Sequence, residues 1–561
     1  MSVYFLVLFF SRDVFCLAQN PLAIPDTLSG VNFNLAIYDT SKVFYPTFTT
    51  QTYGINGNFL APTLFMRKGD SVDISLNNLL ADTTTIHWHG MHVASFNDGG
   101  PHTVILPGAL WNPKFKVRDN ASTYWYHPHQ HKKTDMQVGM GLAGLVIVRD
   151  SAEGSLNLPR RYGLDDFPLV VQSKHFDVAK QIVTGTVYDS VIMVNGTVNP
   201  FLQVPAQVIR LRILNGSSER VYNYGLQGNL TFYQIASDGG LLSSSVPLTR
   251  LLLAPGERAE ILVDFTGMIG QNINLINFGS EIPNGIYGAG NPSAMMGSIP
   301  NYSSNSLNGT NTNIIQFQIG AQTINPVTTI PTSLVAVTPI NSNSSMQSRT
   351  LTITPVTMNM NTMVNGPFQF NNTPFNMNVV NYTIPQNNIE TWTINNQTAI
   401  AHPFHIHDVQ FYILDINGNP PPANLQGRKD VVLVRAQQTI KFITVFDDFC
   451  DPVPYMYHCH MLMHEDDGLM GQFVVLCPSS TVEEELTAEE IMIYPNPSQG
   501  NFIVESPIGK LFIYNVLGKI IYSQKIISEK SKIDLSKQSK GFYFLKLNYG
   551  DKIIMRKIVI E

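Results

Sequence analysis

Tyr457-His458-Cys459-His460-Met461-Leu462-Met463-His464-Glu465 sets a cysteine between two histidines, with a further imidazole four residues after the second. The residues leading into it, Tyr455-Met456-Tyr457, read as a strand, and successive strand side chains point to opposite faces. His458 and His460 therefore share one face and Cys459 takes the other. One short peptide can then hold two different metal centres, one on each side, with a covalent path between them. A thiolate with imidazoles suits copper or zinc. Zinc cannot change oxidation state, so a path joining two zinc sites would have no use.

The rest of the chain supplies the missing ligands. Most of its 14 histidines fall into four tight clusters. These are His87-Trp88-His89, His127-Pro128-His129 with His131 beside it, His402-Pro403-Phe404-His405-Ile406-His407, and the segment around Cys459. Each H-x-H pair puts two imidazoles on one strand face. A lone pair of this kind is often a surface pair. Four clusters with a cysteine point to a multinuclear metal protein.

The setting of these clusters is all-β. Short apolar runs such as Val72-Asp73-Ile74-Ser75-Leu76 and Gly144-Leu145-Val146-Ile147-Val148 alternate with turn clusters about every ten residues. That texture indicates β-sandwiches. The 561 residues are enough for several domains. The expected division is 20–150, 151–325, a linker over 326–348, 349–478, a polar acidic linker over 479–490, and a tail over 491–561. The second unit has the same strand texture but only His175. The tail contains no His or Cys and holds ten lysines between Lys510 and Lys557, so it carries no metal chemistry.

Only 14% of residues are charged and the net charge is −6, so nothing suggests a nucleic-acid partner. The apolar run Val3 to Phe10 is too short to span a bilayer and fits a signal peptide over residues 1–18, cleaved after Ala18. No Lys or Arg precedes that run, and Arg12-Asp13 follows it closely. No other window reaches transmembrane length. Cys450 and Cys477 flank the metal segment, and in an oxidising compartment they can form a disulfide or stay as two buried thiols.

The histidine clusters, with Asn97-Asp98-Gly99-Gly100-Pro101, Met140-Gly141-Leu142-Ala143-Gly144 and His464-Glu465-Asp466-Asp467-Gly468, carry a resemblance to the multicopper oxidases. It covers roughly residues 30–478 and is nearest the bacterial copper-efflux and laccase types. It implies three cupredoxin-like Greek-key β-sandwiches and four copper ions. By motif, the type 1 copper takes His402, Cys459 and His464, and the type 2 copper takes His87 and His405. One type 3 copper takes His89, His127 and His460, and the other takes His129, His407 and His458. Asp98 and Glu465 are implied as proton relays, or else they cap loops. Asp430 is implied near His402 at the substrate edge, orienting that imidazole or guiding a cationic donor, or it is a plain surface carboxylate. His92, His102, His131 and His175 match no ligand position and are read as structural or surface groups.

Two departures from the family pattern matter. The axial position, ten residues after the cysteine, is Leu469, where copper-efflux members usually carry Met. Leu cannot coordinate, and loss of the weak thioether raises the type 1 potential. The adjacent Met470 is expected to point away. Met358, Met360, Met363 and Met377 occupy a place where copper-efflux members carry a denser, methionine-rich insert for cuprous ions. Thioethers favour Cu(I), but Met is also a common core filler.

Ile491-Met492-Ile493-Tyr494-Pro495-Asn496-Pro497, Phe512 to Gly518, Gly541 to Leu547 and Lys557 to Ile560 resemble the C-terminal sorting domain of type IX secretion cargo. That implies a small β-sandwich read by the secretion machinery, and periplasmic transit to the cell surface or beyond. A carbohydrate-binding or docking sandwich is the alternative, but no exposed aromatic platform is evident. The expected function is a secreted, laccase-like oxidase that draws electrons from a phenolic or organic donor and reduces O2 to water. Oxidation of cuprous or ferrous ions, and copper sequestration without turnover, are the other readings.

Overall fold

The computed structural model describes residues 19–477, 491–515, 519–549 and 552–561. The expected signal segment and the 479–490 linker lie outside the described residues. The chain divides into two compact units, Met1–Cys477 and Pro478–Glu561. No helix among the described residues is long and apolar enough to cross a membrane.

The larger unit contains three two-sheet sandwiches, so the all-β architecture expected of the sequence is the one observed. In the first, a five-stranded sheet carrying His87–His89 and Ser122–His127 faces a second five-stranded sheet built on Asn32–Tyr45. Leu64, Tyr124, Tyr126 and Val146 from one sheet meet Phe33, Leu35, Ile74 and Leu76 from the other in a single core. The middle sandwich pairs a six-stranded with an eight-stranded sheet over a core that includes Phe167, Leu211, Ile261 and Phe317. The third packs two five-stranded sheets around Trp392, Phe404, Phe442 and Tyr457. Strands such as Ser71–Asn78 alternate between core and outer face, whereas Ser122–His127, Val208–Asn215 and His402–Ile406 are buried on both faces.

Asn20–Pro21 departs from the expected division. It pairs in parallel with Pro200 and Phe201 and so extends the middle sandwich's sheet. Leu22 behind it enters the middle core. A two-residue strand has no periodicity from which this could be read. The first part of the 326–348 segment runs along the middle sandwich, and its last two residues open the strand Gln347–Pro355 of the third. Val327 O accepts from Val208 N at 2.9 Å, Leu334 N donates to Ser243 O at 3.0 Å, and the Leu334 side chain is buried.

Cys450 and Cys477 form a disulfide that joins the approach to Asp451–Cys459 with the end of Met470–Leu476. Among the described residues, Cys459 is the free cysteine, and it is buried.

The smaller unit has a three-stranded sheet and a four-stranded sheet of order Ile520–Ile526, Gly509–Asn515, Gly541–Tyr549, Lys552–Ile560. Phe502, Val504, Leu511, Ile513, Leu545 and Ile558 fill its core.

Candidate metal centres

Asp451–Cys459 lies between two antiparallel neighbours, His402–Ile406 and Met470–Leu476. Its register sets Cys459 opposite Phe404 and His458 opposite His405. Residues directly opposite share a face. The two strands therefore sort their side chains together: Cys459 and His402 go into the third sandwich, and His458, His405 and His407 go to the other side.

On the inner side, Cys459 Sγ lies 3.5 Å from His402 Nδ1 and 3.7 Å from His464 Nδ1. His464 comes from the short helix Leu462–Asp466, which folds the chain back over the cysteine. The ring of Phe368 stands edge-on to both imidazoles, at 4.6 and 4.8 Å. Burial pushes the Cys459 thiol far above its ordinary pKa, so the thiolate forms only if a cation sits beside it. Burial also lowers His464 to about 4 and takes His402 well below the ordinary histidine range, which keeps both imidazoles neutral and available as ligands. Leu469 is fully buried in the same core as Cys459, and its carbonyl accepts from Cys459 N at 3.0 Å. Met470 pairs with His458 across the sheet, so its side chain belongs to the opposite face from Cys459.

On the other side, eight imidazoles converge between the first and third sandwiches, each no more than 1% exposed. They form three groups in which the ligand atoms lie within 4.8 Å of one another: His87 with His405 and His407; His89 with His127 and His460; and His129 with His407 and His458. Outer partners orient most of the rings. His127 Nδ1 donates to Pro128 O at 2.8 Å, His405 Nδ1 to Asp430 O at 2.8 Å, and His458 Nδ1 to Cys459 O at 3.0 Å. His407 Nδ1 donates to Asp98 Oδ2 at 2.8 Å. His129 Nδ1 lies 3.2 Å from Glu465 Oε1. These contacts leave Nε2 pointing inward. His89 is reversed: Nε2 faces Asp430 Oδ1 at 3.1 Å, and Nδ1 faces His460 Nε2 at 3.2 Å.

This donor set fits metal ions on structural grounds alone. His129 Nε2 and His458 Nε2 are 3.1 Å apart, and the Nε2 atoms of His87, His405 and His407 are buried without a hydrogen-bond partner. Burial, followed by the neighbouring imidazoles, lowers the pKa of His89, His127, His405 and His460 far below the ordinary histidine range. His407 falls to about 3 through burial and His87, despite the Asp98 carboxylate. Neutral imidazoles whose lone pairs converge in a dry space repel one another unless a cation lies between them.

The carboxylates lie just outside these groups. Asp98, in the turn Ser95–Asp98, bridges His87 and His407. Glu465 bridges His129 and His458 and accepts from Thr134 Oγ1 at 2.6 Å. Burial alone would raise both acids. The adjacent imidazoles outweigh it and hold both well below the usual carboxylate range. Asp466, next in sequence, accepts from Thr134 N and Asp135 N, both at 3.0 Å, and so caps a helix of the first sandwich.

Asp430 is not at a substrate edge. It is fully buried and lies against His89 and His405, not His402. Strand register is the reason. His402 pairs with Val434 and His405 with Val431, so the residue before Val431 falls at the His405 end. Its charge is met by Arg258 of the middle sandwich, whose Nη1 and Nη2 each donate at 2.6 Å. Gly256 nearby has φ +84°, and a Cβ there would sit 2.9 Å from the His460 ring. The middle sandwich thus braces the histidine groups without contributing a histidine. Nothing in Arg258-Ala259-Glu260-Ile261 distinguishes that arginine in the sequence from any other at the start of a strand. Removing one partner of a buried ion pair costs about 3–5 kcal/mol. We therefore expect Arg258→Ala to lower the unfolding temperature by several degrees and to lower metal-ion content measured per chain. A variant matching the parent in both would show the pair to be dispensable.

The remaining histidines join none of these groups. His92 Nδ1 bonds Asp119 Oδ1 at 2.7 Å, and His102 Nε2 meets Gln472 Oε1 at 2.7 Å. His131 packs on Phe375, and His175 on Tyr188.

The chain matches the multicopper oxidase family over residues 39–153 and again over 347–478, and a secretion-system C-terminal sorting domain over 492–561. It is 36% identical over 455 residues to multicopper oxidase mco of Staphylococcus haemolyticus, covering 79% of this chain and 88% of that one. It is 31% identical to cell division protein FtsP of Sodalis glossinidius, covering 82% and 93%. Among solved structures it resembles the laccase-like multicopper oxidase CueO of the lignin-degrading Ochrobactrum sp. That match has a TM-score of 0.71 and 31% identity, and covers 81% of this chain and all of the other. With three cupredoxin-like sandwiches, buried histidine–cysteine groups of the right chemistry and these relatives, the chain belongs to the multicopper oxidase family and carries a C-terminal sorting domain.

Proposed function

We propose that this chain is a secreted, laccase-like oxidase that holds four copper ions. His402, Cys459 and His464 hold the type 1 ion, and His87 and His405 hold the type 2 ion. The type 3 pair is held by His89, His127 and His460 and by His129, His407 and His458. Copper supplies the one-electron chemistry that couples four single-electron oxidations of a donor to the four-electron reduction of O2 to water.

The observation that carries this reading is the covalent continuity of the two sides. The Cys459 thiol sits between His402 and His464, and its chain neighbours His458 and His460 reach the opposite groups. A storage protein or a purely structural relative has no need of such a path. The surrounding residues fit the proton side of the reaction. Asp98 and Glu465, both ionised and buried, are poised to accept protons beside His407 and beside His129 and His458. Asp430, paired to Arg258, positions His89 and His405.

The test is oxygen uptake by the copper-loaded chain, with a substituted phenol, Cu(I) and Fe(II) offered in parallel. Uptake with the phenol is expected. Absence of uptake with every donor, while four copper ions are bound per chain, overturns the oxidase reading.

Leu469, buried in the same core as Cys459, would offer a type 1 ion no thioether. Leu469→Met is expected to lower that ion's reduction potential by on the order of tens of millivolts, with copper content unchanged. Redox titration of the blue absorption checks this, and an unchanged potential would show that residue 469 does not face the ion.

One observation favours the cuprous reading over the organic one. Met295, Met296, Met358 and Met360 are each more than half exposed, and the two loops that bear them abut, with Gly297 against Met360 O. Those loops hydrogen-bond to Ala399, three residues before His402: Ala294 N donates to Ala399 O and Ala399 N to Met363 O, both at 2.9 Å. Met363 instead packs partly buried on the third core. Replacing the four exposed methionines by Leu is expected to leave phenol oxidation unchanged. A selective fall of tenfold or more in Cu(I) oxidation would instead make cuprous ion the donor.

A further inference from the structure

The aromatic residues near the C-terminus do not all enter the core. In Gly509–Asn515, Leu511 and Ile513 are buried while Lys510, Phe512 and Tyr514 take the opposite face. In Gly541–Tyr549, Tyr543, Leu545 and Leu547 are buried while Phe542, Phe544 and Lys546 face out. Phe542 is 50% exposed and Phe544 38%. The register brings these residues together on one sheet face. Tyr514 stands opposite Phe544, Phe512 opposite Lys546, Phe544 opposite Lys557, and Lys510 opposite Lys525. Lys557 Nζ lies 3.8 Å from the centre of the Phe542 ring, and Lys510 Nζ 5.0 Å from that of Phe512. This is the aromatic platform that the sequence did not reveal.

Three features narrow the occupant. The first is charge. Residues 491–561 hold eleven Lys or Arg and five Asp or Glu, a net +6, while the whole chain is −6, leaving −12 for residues 1–490. Among the described residues, the outward positions of these four strands carry no carboxylate. The second is repetition. The combination of a flat ring with a lysine directly across recurs on adjacent strand pairs, as Phe512 with Lys546 and as Phe544 with Lys557. A repeated pocket chemistry suits a ligand that repeats. The third is solvation. Exposed Phe rings in a row are costly to leave in water and mark a contact surface, yet lysines interleaved with them do not suit the dry centre of a protein interface.

We propose that this sheet face docks an anionic polysaccharide. The apolar C–H face of a pyranose ring stacks on Phe512, Phe542 and Phe544, and the sugar's carboxylate, sulfate or phosphate groups pair with Lys510, Lys525, Lys546 and Lys557. A single-stranded nucleic acid also repeats a ring and an anion, but it is usually held in a groove that tracks its backbone, and this face is an open sheet. The proposal is independent of the oxidase reading.

The full-length, copper-loaded chain is run through native gels cast with alginate, a polyuronate, or with dextran, a neutral glucan. Binding to an oligo-dT single strand and to phosphatidylglycerol vesicles is measured alongside. Retardation by alginate and not by dextran is expected, weakening as salt is raised. Phe542→Ala with Phe544→Ala, and separately Lys546→Gln with Lys557→Gln, are each expected to weaken alginate binding by tenfold or more. Oxygen uptake should be unchanged, because neither pair belongs to the metal centres. The lysine variant leaves every ring and core residue in place, so it tests the surface even if the aromatic variant folds poorly. Retardation by dextran equal to that by alginate, no binding to alginate at low salt, tighter binding to oligo-dT or vesicles, or parental affinity in the lysine variant overturns the proposal.

Discussion

Cys459→Ser should abolish donor oxidation, with a loss of at least ~10³-fold in steady-state oxygen uptake, while most of the bound metal is retained. The cysteine sulfur has His402 and His464 as its polar neighbours. The outer hydrogen bonds that orient His89, His127, His405, His407 and His458 do not use the sulfur, and that of His458 Nδ1 goes to the backbone carbonyl of Cys459. Serine is close in size, and the site is already a dry pocket bounded by Phe368, Met461 and Leu469. A hydroxyl there cannot act as a soft anionic ligand at neutral pH, so the inner site loses its metal or its electron-transfer character. The readouts are loss of the intense blue thiolate absorption, a metal content near three ions per chain, and an unfolding temperature within a few degrees of the parent. A variant that still turned over at a tenth of the parental rate would show that electrons enter the buried groups without passing Cys459.

Much of this arrangement was legible before any coordinates, for one physical reason. Nine of the grouped histidines and one cysteine lie on or beside strands, where a period of two assigns each side chain to a face. His458 and His460 on one side and Cys459 on the other follow from that period, and the observed pairing with His405 and Phe404 agrees with it. Period alone does not locate a residue along a neighbouring strand. The family resemblance implies Asp430 near His402, whereas the pairing of His405 with Val431 carries it to the other end. Arg258 was invisible because its partner is 172 residues away and in another sandwich. The exposed face in the tail was hidden differently. In Phe542-Tyr543-Phe544 both faces of the strand are aromatic, so alternation gives no sign of which ring is buried. Only the burial of Tyr543 with Leu545 and Ile558 resolves it.

Glu465→Gln should slow oxygen reduction by about 10²-fold or more without loss of copper, a size typical of removing a positioned proton carrier. Glutamine is nearly isosteric and keeps an oxygen that can accept from Thr134 Oγ1, which now donates at 2.6 Å. It cannot take up a proton. In the parent the two carboxylate oxygens are divided between His129 and His458, each 3.2 Å from an imidazole Nδ1, so a proton accepted there stands beside both rings. The histidines hold the acid ionised against the effect of burial, so it is available as a base across the neutral range. Asp98 occupies the equivalent place on the far side, between His87 and His407. The two carboxylates serve different imidazoles, and loss of one should slow turnover rather than end it. Two measurements separate a proton role from a structural one. Glu465→Asp should recover part of the rate, because a carboxylate returns. The rate of Glu465→Gln should fall more steeply than the parent's as pH rises, because protons must then come from bulk water. Equal rates for the Gln and Asp variants, or a pH profile parallel to the parent's, would reduce Glu465 to a spacer that holds His129 and His458 in place.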